Sequence, residues 1–112
     1  MQMQYSLLGG WGMLTKLCDK SILPPGEYRA FKIREHDFLA LNVSGKVFCL
    51  DGRCTHAGAP LAEGTLEGEV LTCPWHYSQF SISSGEVLHG PAQKPLKTYH
   101  VEEKENAYFI DF

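Results

Sequence analysis

The stretches Cys54-Thr55-His56 and Cys73-Pro74-Trp75-His76 each bring one thiol and one imidazole together. Sixteen residues separate His56 from Cys73, which leaves room for two loops that approach one object from opposite sides. Thiolate and imidazole groups are metal ligands, so two of each predict a metal centre. We expect the rest of the chain to form a scaffold for these two loops, because ligands on loops need rigid neighbouring strands.

The mixture of two cysteines and two histidines suits a binuclear iron-sulfur cluster. An oxidised [2Fe-2S] core carries two positive charges, which two thiolates neutralise, whereas four thiolates would leave a dianion. An electron enters a neutral site more readily, so replacing two cysteines with neutral histidines raises the reduction potential by roughly several hundred millivolts. We therefore predict that Cys54 and Cys73 hold one iron and that His56 and His76 hold the other.

Zinc is the alternative that the same residue types allow, since structural zinc sites also accept two Cys and two His. Zinc fingers usually pair Cys with Cys and separate the members of a pair by two or more residues. Here each pair is mixed, and a single residue separates Cys54 from His56. The spacing favours the iron-sulfur cluster, and a zinc-stabilised interaction module stays open as an alternative.

With their flanks, the two motifs read C-T-H-A-G-A-P-L over 54–61 and C-P-W-H-Y-S-Q-F over 73–80. They resemble the two cluster-binding boxes of Rieske proteins, and the similarity to Rieske ferredoxins extends over nearly all of residues 13–112. The resemblance implies one [2Fe-2S] cluster in an all-β fold: a Rieske-like antiparallel β-sandwich base with a small cluster-binding lobe at about residues 51–92. Residues 1–12 are expected to be an N-terminal extension.

Departures from the respiratory Rieske pattern indicate a low-potential ferredoxin. Respiratory proteins have a further cysteine in each box, and the matching Ala59 and Trp75 cannot form their disulfide. Phe80 stands where those proteins have a tyrosine that donates a hydrogen bond to a cysteine sulfur. Ser78 matches the family's hydroxyl donor to a bridging sulfide. Because such bonds stabilise the reduced state, we predict a potential in the lower part of the Rieske span of about −150 to +300 mV.

Two other residues are expected to shape the site. Gly58 lies in the turn of the first loop, and Pro91 resembles the third loop, which covers the cluster in the family. An ordinary turn proline is the alternative for Pro91.

The resemblance also implies a docking surface, because the family coordinates through Nδ1 and leaves the Nε2 atoms of His56 and His76 facing outward. Trp75 and Tyr77 flank His76 and are expected to form an apolar contact rim for a partner. Packing of both aromatic rings on the lobe's own loops is the alternative. Tyr77 replaces a glycine that is usual in the family.

Composition and periodicity indicate one small domain. The chain has 112 residues, of which 44% are hydrophobic, enough for one modest core. Short alternating segments predict strands at 27–34, 38–43, 47–50, 70–72, 80–82, 98–103 and 107–111. A net charge of −3 without a basic run argues against nucleic acid, and residues 5–13 are too short an apolar stretch for a signal peptide or membrane anchor.

The remaining cysteines, Cys18 and Cys49, lie in short apolar segments and are predicted to be buried free thiols. Free thiols and a reducible cluster together favour a cytoplasmic location, with a Cys18–Cys49 disulfide as the alternative.

The sequence contains no substrate-activating site of its own. The chain is too short for the second iron site and cavity domain of a Rieske oxygenase, and it lacks the G-x-G-x-x-G dinucleotide fingerprint. The resemblance therefore implies an electron carrier rather than an enzyme, between a flavin-dependent ferredoxin reductase and a terminal aromatic-ring oxygenase. The small subunit of an assimilatory nitrite reductase, which shares the fold but often lacks some ligands, is the alternative.

Overall fold

The computed structural model describes residues 4–5 and 13–112, and their regular structure is almost entirely strand. The described residues contain no α-helix, only two short 3-10 turns at Lys20–Ile22 and Leu61–Glu63. The all-β prediction is confirmed. The strands in chain order are β1 Gln4–Tyr5, β2 Met13–Asp19, β3 Tyr28–Ile33, β4 His36–Val43, β5 Lys46–Asp51, β6 Thr65–Glu67, β7 Val70–Thr72, β8 Gln79–Ser81, β9 Val87–His89, β10 Thr98–Tyr99, β11 Val101–Lys104 and β12 Ala107–Asp111.

The strands form three antiparallel sheets of four strands each. Their orders are β1-β2-β12-β11, β10-β5-β4-β3 and β6-β7-β8-β9. The first sheet joins the two ends of the chain, because β2 pairs with β12. The first two sheets form the base, and the third comes entirely from residues 65–89, inside the predicted lobe. The antiparallel base with a smaller lobe is thus confirmed.

The domain boundaries themselves stay a prediction. The extension at residues 1–12 lies outside the described residues except for Gln4–Tyr5, which pair with β2. Within the described part of the chain, no helix is long and apolar enough to cross a membrane.

Strand β4 is buried on both faces and connects two hydrophobic clusters. Phe38 and Ala40 belong to a cluster shared with the first sheet, whereas Leu39 and Leu41 belong to a cluster that continues into the lobe. All four side chains are fully buried. Since successive side chains of a strand point to opposite faces, this single strand packs against both neighbouring layers. It therefore ties the lobe to the base.

Two features of the sheets differ from the prediction. The strand expected at 98–103 is wrong as one element, because the chain leaves the second sheet at His100. Thr98–Tyr99 pair with β5, and Val101–Lys104 pair with β12. The predicted strands also lack β1, β2, β6 and β9. Strand β1 falls in the expected extension, and β2 covers a segment that the sequence marks only as short and apolar. Strands β6 and β9 are three-residue segments whose mostly half-buried or exposed side chains carry no clear alternation.

Cys18 and Cys49 are free and buried, as predicted. Both belong to the hydrophobic cluster between the first and second sheets. They act there as small apolar side chains.

Alkaline pH is expected to destabilise the fold through Cys49. Burial first, then the Asp51 carboxylate and the Cys18 thiol, raise the pKa of Cys49 from its usual 9.0 to about 12. Between these values the folded protein keeps a proton that the unfolded chain releases. This group's contribution is fully present below pH 9.0 and is lost as the pH rises towards 12, by at most about 1.4 kcal/mol per pH unit. Urea unfolding across this window measures the slope.

Cys49→Ala is the matched variant for this measurement. The smaller side chain lowers the free energy of unfolding at every pH, so the slopes are compared and not the absolute values. We expect a shallower slope in the variant because its titrating thiol is gone. Equal slopes in the two proteins would contradict the prediction.

Candidate metal centre

The first ligand loop runs from Cys54 to Ala59 and is closed by backbone hydrogen bonds. The Cys54 N–H donates to the Ala59 carbonyl, and the Gly58 N–H donates to the Cys54 carbonyl, both at 2.9 Å. Gly58 has a φ of 76°, a conformation that glycine adopts at little cost. The closed loop leaves Cys54 buried in the core and His56 exposed at its tip.

The second ligand loop repeats this closure. The Cys73 N–H donates to the Ser78 carbonyl at 2.8 Å, again across five residues. Cys73 is buried, and His76 is exposed. The two loops therefore present their cysteine and histidine in the same way.

The two loops bring the four predicted ligands together as two pairs. The centroids of the His56 and His76 rings lie 5.0 Å apart, and the rings meet edge to face at 78°. The Cys54 and Cys73 thiols are close enough to hydrogen-bond to each other. The imidazole pair is exposed and the thiol pair is buried.

The backbone around Cys54 is arranged for a thiolate ligand. Burial raises the pKa of the Cys54 thiol, while hydrogen bonds from the backbone N–H groups of His56 and Ala57 lower it and the neighbouring Cys73 raises it. Amide donors directed at a cysteine sulfur stabilise the charged ligand in iron-sulfur sites. Two buried sulfurs, amide donors and two imidazoles together fit the donor set of a [2Fe-2S] cluster.

A single metal ion fits this arrangement less well. Among the described residues, no group of three or more His, Cys, Asp or Glu side chains is placed to hold one ion. A structural zinc site needs four ligands around one point. One thiol pair in the core and one imidazole pair at the tip suit two irons instead.

A third loop, residues 90–94, is tied to both ligand loops. The Ala92 N–H donates to Ser78 Oγ at 3.0 Å, and Thr55 Oγ1 donates to the Lys94 carbonyl at 2.7 Å. Ser78 is fully buried, and by accepting from Ala92 it keeps its own hydroxyl proton for another acceptor. Pro91 is exposed within this loop. Sequence reasoning missed the Thr55–Lys94 contact, because no local pattern marks a bond across 39 residues.

Arg53 braces the first loop from outside, which sequence reasoning also missed. Its Nε donates to Asp37 Oδ2 and its Nη1 donates to the Gly58 carbonyl, both at 3.0 Å. The side chain therefore connects strand β4 to the loop that carries Cys54 and His56.

The aromatic residues of the second box divide between core and surface. Phe80 is fully buried in the same cluster as the two box cysteines. Trp75 and Tyr77 have exposed fractions of 52% and 69%, so neither ring is buried against the lobe's own loops. Tyr77 has a φ of 61°, a region in which glycine is comfortable and a tyrosine is strained. This explains in physical terms why a glycine suits the position.

Known proteins that are similar to this chain include members of a [2Fe-2S] domain family. The Rieske [2Fe-2S] domain family matches residues 13–100. The ferredoxin component of biphenyl 2,3-dioxygenase from Rhodococcus jostii strain RHA1 is 35% identical over 98 residues, which cover 88% of this chain and 92% of that protein.

Two solved structures share the fold at sequence identities of 33% and 30%. The Sphingomonas yanoikuyae B1 ferredoxin is 33% identical, with a TM-score of 0.82 over 88% of this chain and 98% of the other. A chain from the complex of reduced oxygenase and oxidised ferredoxin in carbazole 1,9a-dioxygenase is 30% identical, with a TM-score of 0.80 over 88% of this chain and 92% of that one.

The antiparallel base and the two Cys/His loops define an iron-sulfur protein that transfers electrons. The chain belongs to the Rieske [2Fe-2S] family and carries one [2Fe-2S] cluster. It is a ferredoxin, an electron-transfer component and not an enzyme in its own right. The nitrite reductase subunit and the zinc module are not favoured by these relatives.

Gly90→Ala is expected to loosen the third loop. A Cβ at Gly90, where φ is 98°, would lie 2.7 Å from the Ser78 Cα. Gly45 has nearly the same φ, 95°, but a Cβ there meets nothing within 4 Å. Both variants should lose about 1 kcal/mol from backbone strain, and Gly90→Ala should lose more because Ser78 must move.

The readouts are urea unfolding and the rate at which the purified protein loses its visible absorbance in air. We expect bleaching to be faster in Gly90→Ala than in Gly45→Ala. Equal bleaching rates would show that the third loop does not protect the metal centre.

Proposed function

We propose that this ferredoxin carries one electron at a time from a flavin-dependent reductase to a terminal oxygenase that acts on aromatic rings. The observation that carries the proposal is the pairing of buried thiols with exposed imidazoles at the tip of the lobe. Relatives that are ferredoxin components of dioxygenase systems support it, as does the structure of a ferredoxin with an oxygenase.

In this proposal Cys54 and Cys73 hold one iron of the cluster, and His56 and His76 hold the other. The bound [2Fe-2S] cluster supplies a centre that accepts and releases one electron. The buried cysteines anchor the cluster in the core, where their sulfur atoms are shielded from water. The exposed imidazoles give the electron a short path to the surface.

Four neighbouring residues tune and protect the centre. Gly58 allows the closed turn of the first loop, and Pro91 stiffens the third loop beside it. The Ser78 hydroxyl is proposed to donate to a sulfide, while Phe80 offers no donor and fills the core instead. The net effect is a potential in the lower part of the Rieske range.

The docking surface is proposed to centre on His56 and His76, with Trp75 and Tyr77 as an apolar rim. Exposed aromatic side chains such as these two, which flank His76 in the chain, are costly to leave in water and are enriched at protein interfaces. The strained φ of Tyr77 is compatible with a residue kept for binding and not for stability.

We further propose that residues 13–112 form the Rieske domain, with the cluster-binding lobe at about 51–92, and that the protein works in the cytoplasm. Support for a reducing compartment comes from Cys18 and Cys49, which are unpaired in the core.

A potentiometric titration followed by visible absorbance tests the carrier function. We expect a reversible one-electron bleach with a midpoint in the lower part of the span from about −150 to +300 mV. Ser78→Ala should lower the midpoint and Phe80→Tyr should raise it, each on the order of tens of millivolts, because they remove and add a donor to sulfur. A midpoint well above zero would contradict the low-potential assignment.

Ligand variants test the four proposed ligands. Cys54→Ser and His76→Ala should abolish the visible chromophore and the delivery of electrons from a reductase to an oxygenase, for which the biphenyl dioxygenase components provide an assay. His89→Ala is the matched control, since His89 is exposed at the end of β9 and is not a proposed ligand. A chromophore that survives in Cys54→Ser would remove that residue from the ligand set.

A further inference from the structure

Lys94 is the one basic residue for which the described part of the chain supplies no side-chain partner. The chain has ten Lys and Arg residues, all within the described range 13–112. Every other one has an interaction partner, such as a carboxylate, a hydroxyl or an aromatic ring. Among the described residues, the Lys94 ammonium has no ion pair, hydrogen bond or ring contact, and only its backbone carbonyl is engaged.

The position of Lys94 is defined by the fold. It lines a groove of about 340 Å³ beside His56, together with Thr55, Pro91 and Gln93. The Thr55 hydroxyl donates to the Lys94 carbonyl at 2.7 Å, which holds the lysine against the loop that carries His56. Lys94 and the exposed His56 therefore line the same groove, with the lysine backbone held to the loop of His56.

No carboxylate from the surrounding loops balances this charge. The segments 54–60, 73–78 and 89–95 contain no Asp or Glu, and Lys94 is their one Lys or Arg residue. The thirteen acidic residues lie elsewhere in the chain. These three segments thus carry one positive charge between them, although the chain has a net charge of −3.

We propose that Lys94 and this groove form the charged half of the docking surface, and that they receive a carboxylate on the docking face of a redox partner protein. The inference rests on the proposed function and adds the sign of the partner's charge. Trp75 and Tyr77 supply uncharged contact area, whereas the ion pair orients the partner on the electron exit. The net charge of −3 alone would predict a partner with a basic docking face, whereas Lys94 predicts an acidic one.

Electron transfer to two cytochromes of opposite charge tests the proposed sign of the partner's docking face. The reduced holoprotein passes one electron to a ferric haem, and no bond or proton needs to move. The acidic probe is cytochrome b5 and the basic probe is cytochrome c, each mixed with reduced protein in a stopped-flow instrument. Lys94→Gln should slow the reaction with cytochrome b5 by about threefold to tenfold at low ionic strength and accelerate that with cytochrome c. Lys94→Glu should enlarge both effects.

Lys97→Gln is the matched control, because it removes the same charge from the base. The Lys97 Nζ lies 5.4 Å from the centroid of the Tyr99 ring, in the second sheet. This variant should leave both rates within about twofold, and all differences should vanish at high ionic strength.

The outcomes separate the docking proposal from the carrier function. Equal effects of the Lys94 and Lys97 variants, or a Lys94 variant that slows both cytochromes alike, would overturn the docking proposal. A wild-type protein that reduces neither cytochrome would overturn the carrier function beneath it.

Discussion

Burial of strand β4 on both faces is the constraint on which the rest of the structure depends. One face of the strand packs against the sheet that joins the chain ends, and the other packs against the lobe with its two cysteines. A small domain has little apolar surface to bury, so a strand that serves two cores stabilises both layers at once. The two proposed ligand cysteines therefore pack in the same cluster as one face of β4.

The metal centre lies where two closed loops pack against that core. Each loop is closed by a hydrogen bond from the cysteine N–H across five residues, which turns the thiol inward and leaves the imidazole at the tip. The buried cysteine sulfurs and the exposed imidazole nitrogens have different proposed roles. In the proposed carrier, the core side holds the cluster and the surface side passes the electron. Arg53 and the third loop keep both loops in place from outside.

Most charged residues of the chain lie outside the two ligand loops and the third loop. The thirteen acidic residues lie outside the segments 54–60, 73–78 and 89–95, and Asp19, Asp37 and Glu103 among them pair with lysine or arginine side chains. The loops around the imidazoles are uncharged apart from Lys94, and they expose two aromatic rings. If the proposed docking surface is correct, a partner meets two aromatic rings and one lysine, which suits oriented contact.

The residue spacing and the resemblance it carries determined the cofactor class, because cysteine and histidine chemistry is local and leaves a recognisable pattern, and the four ligands it names stay a prediction. Alternation located the longer strands, such as β4 and β12, whereas β6 and β9 were too short to leave a pattern. Only the tertiary structure decided the split of residues 98–103 between two sheets, the contact of Thr55 with Lys94 and the brace from Arg53 to Gly58. The long-range contacts depend on how layers pack, and no neighbouring residue in the sequence encodes them. The left-handed backbone of Tyr77 likewise appears only in the fold, since a tyrosine by itself gives no sign of it.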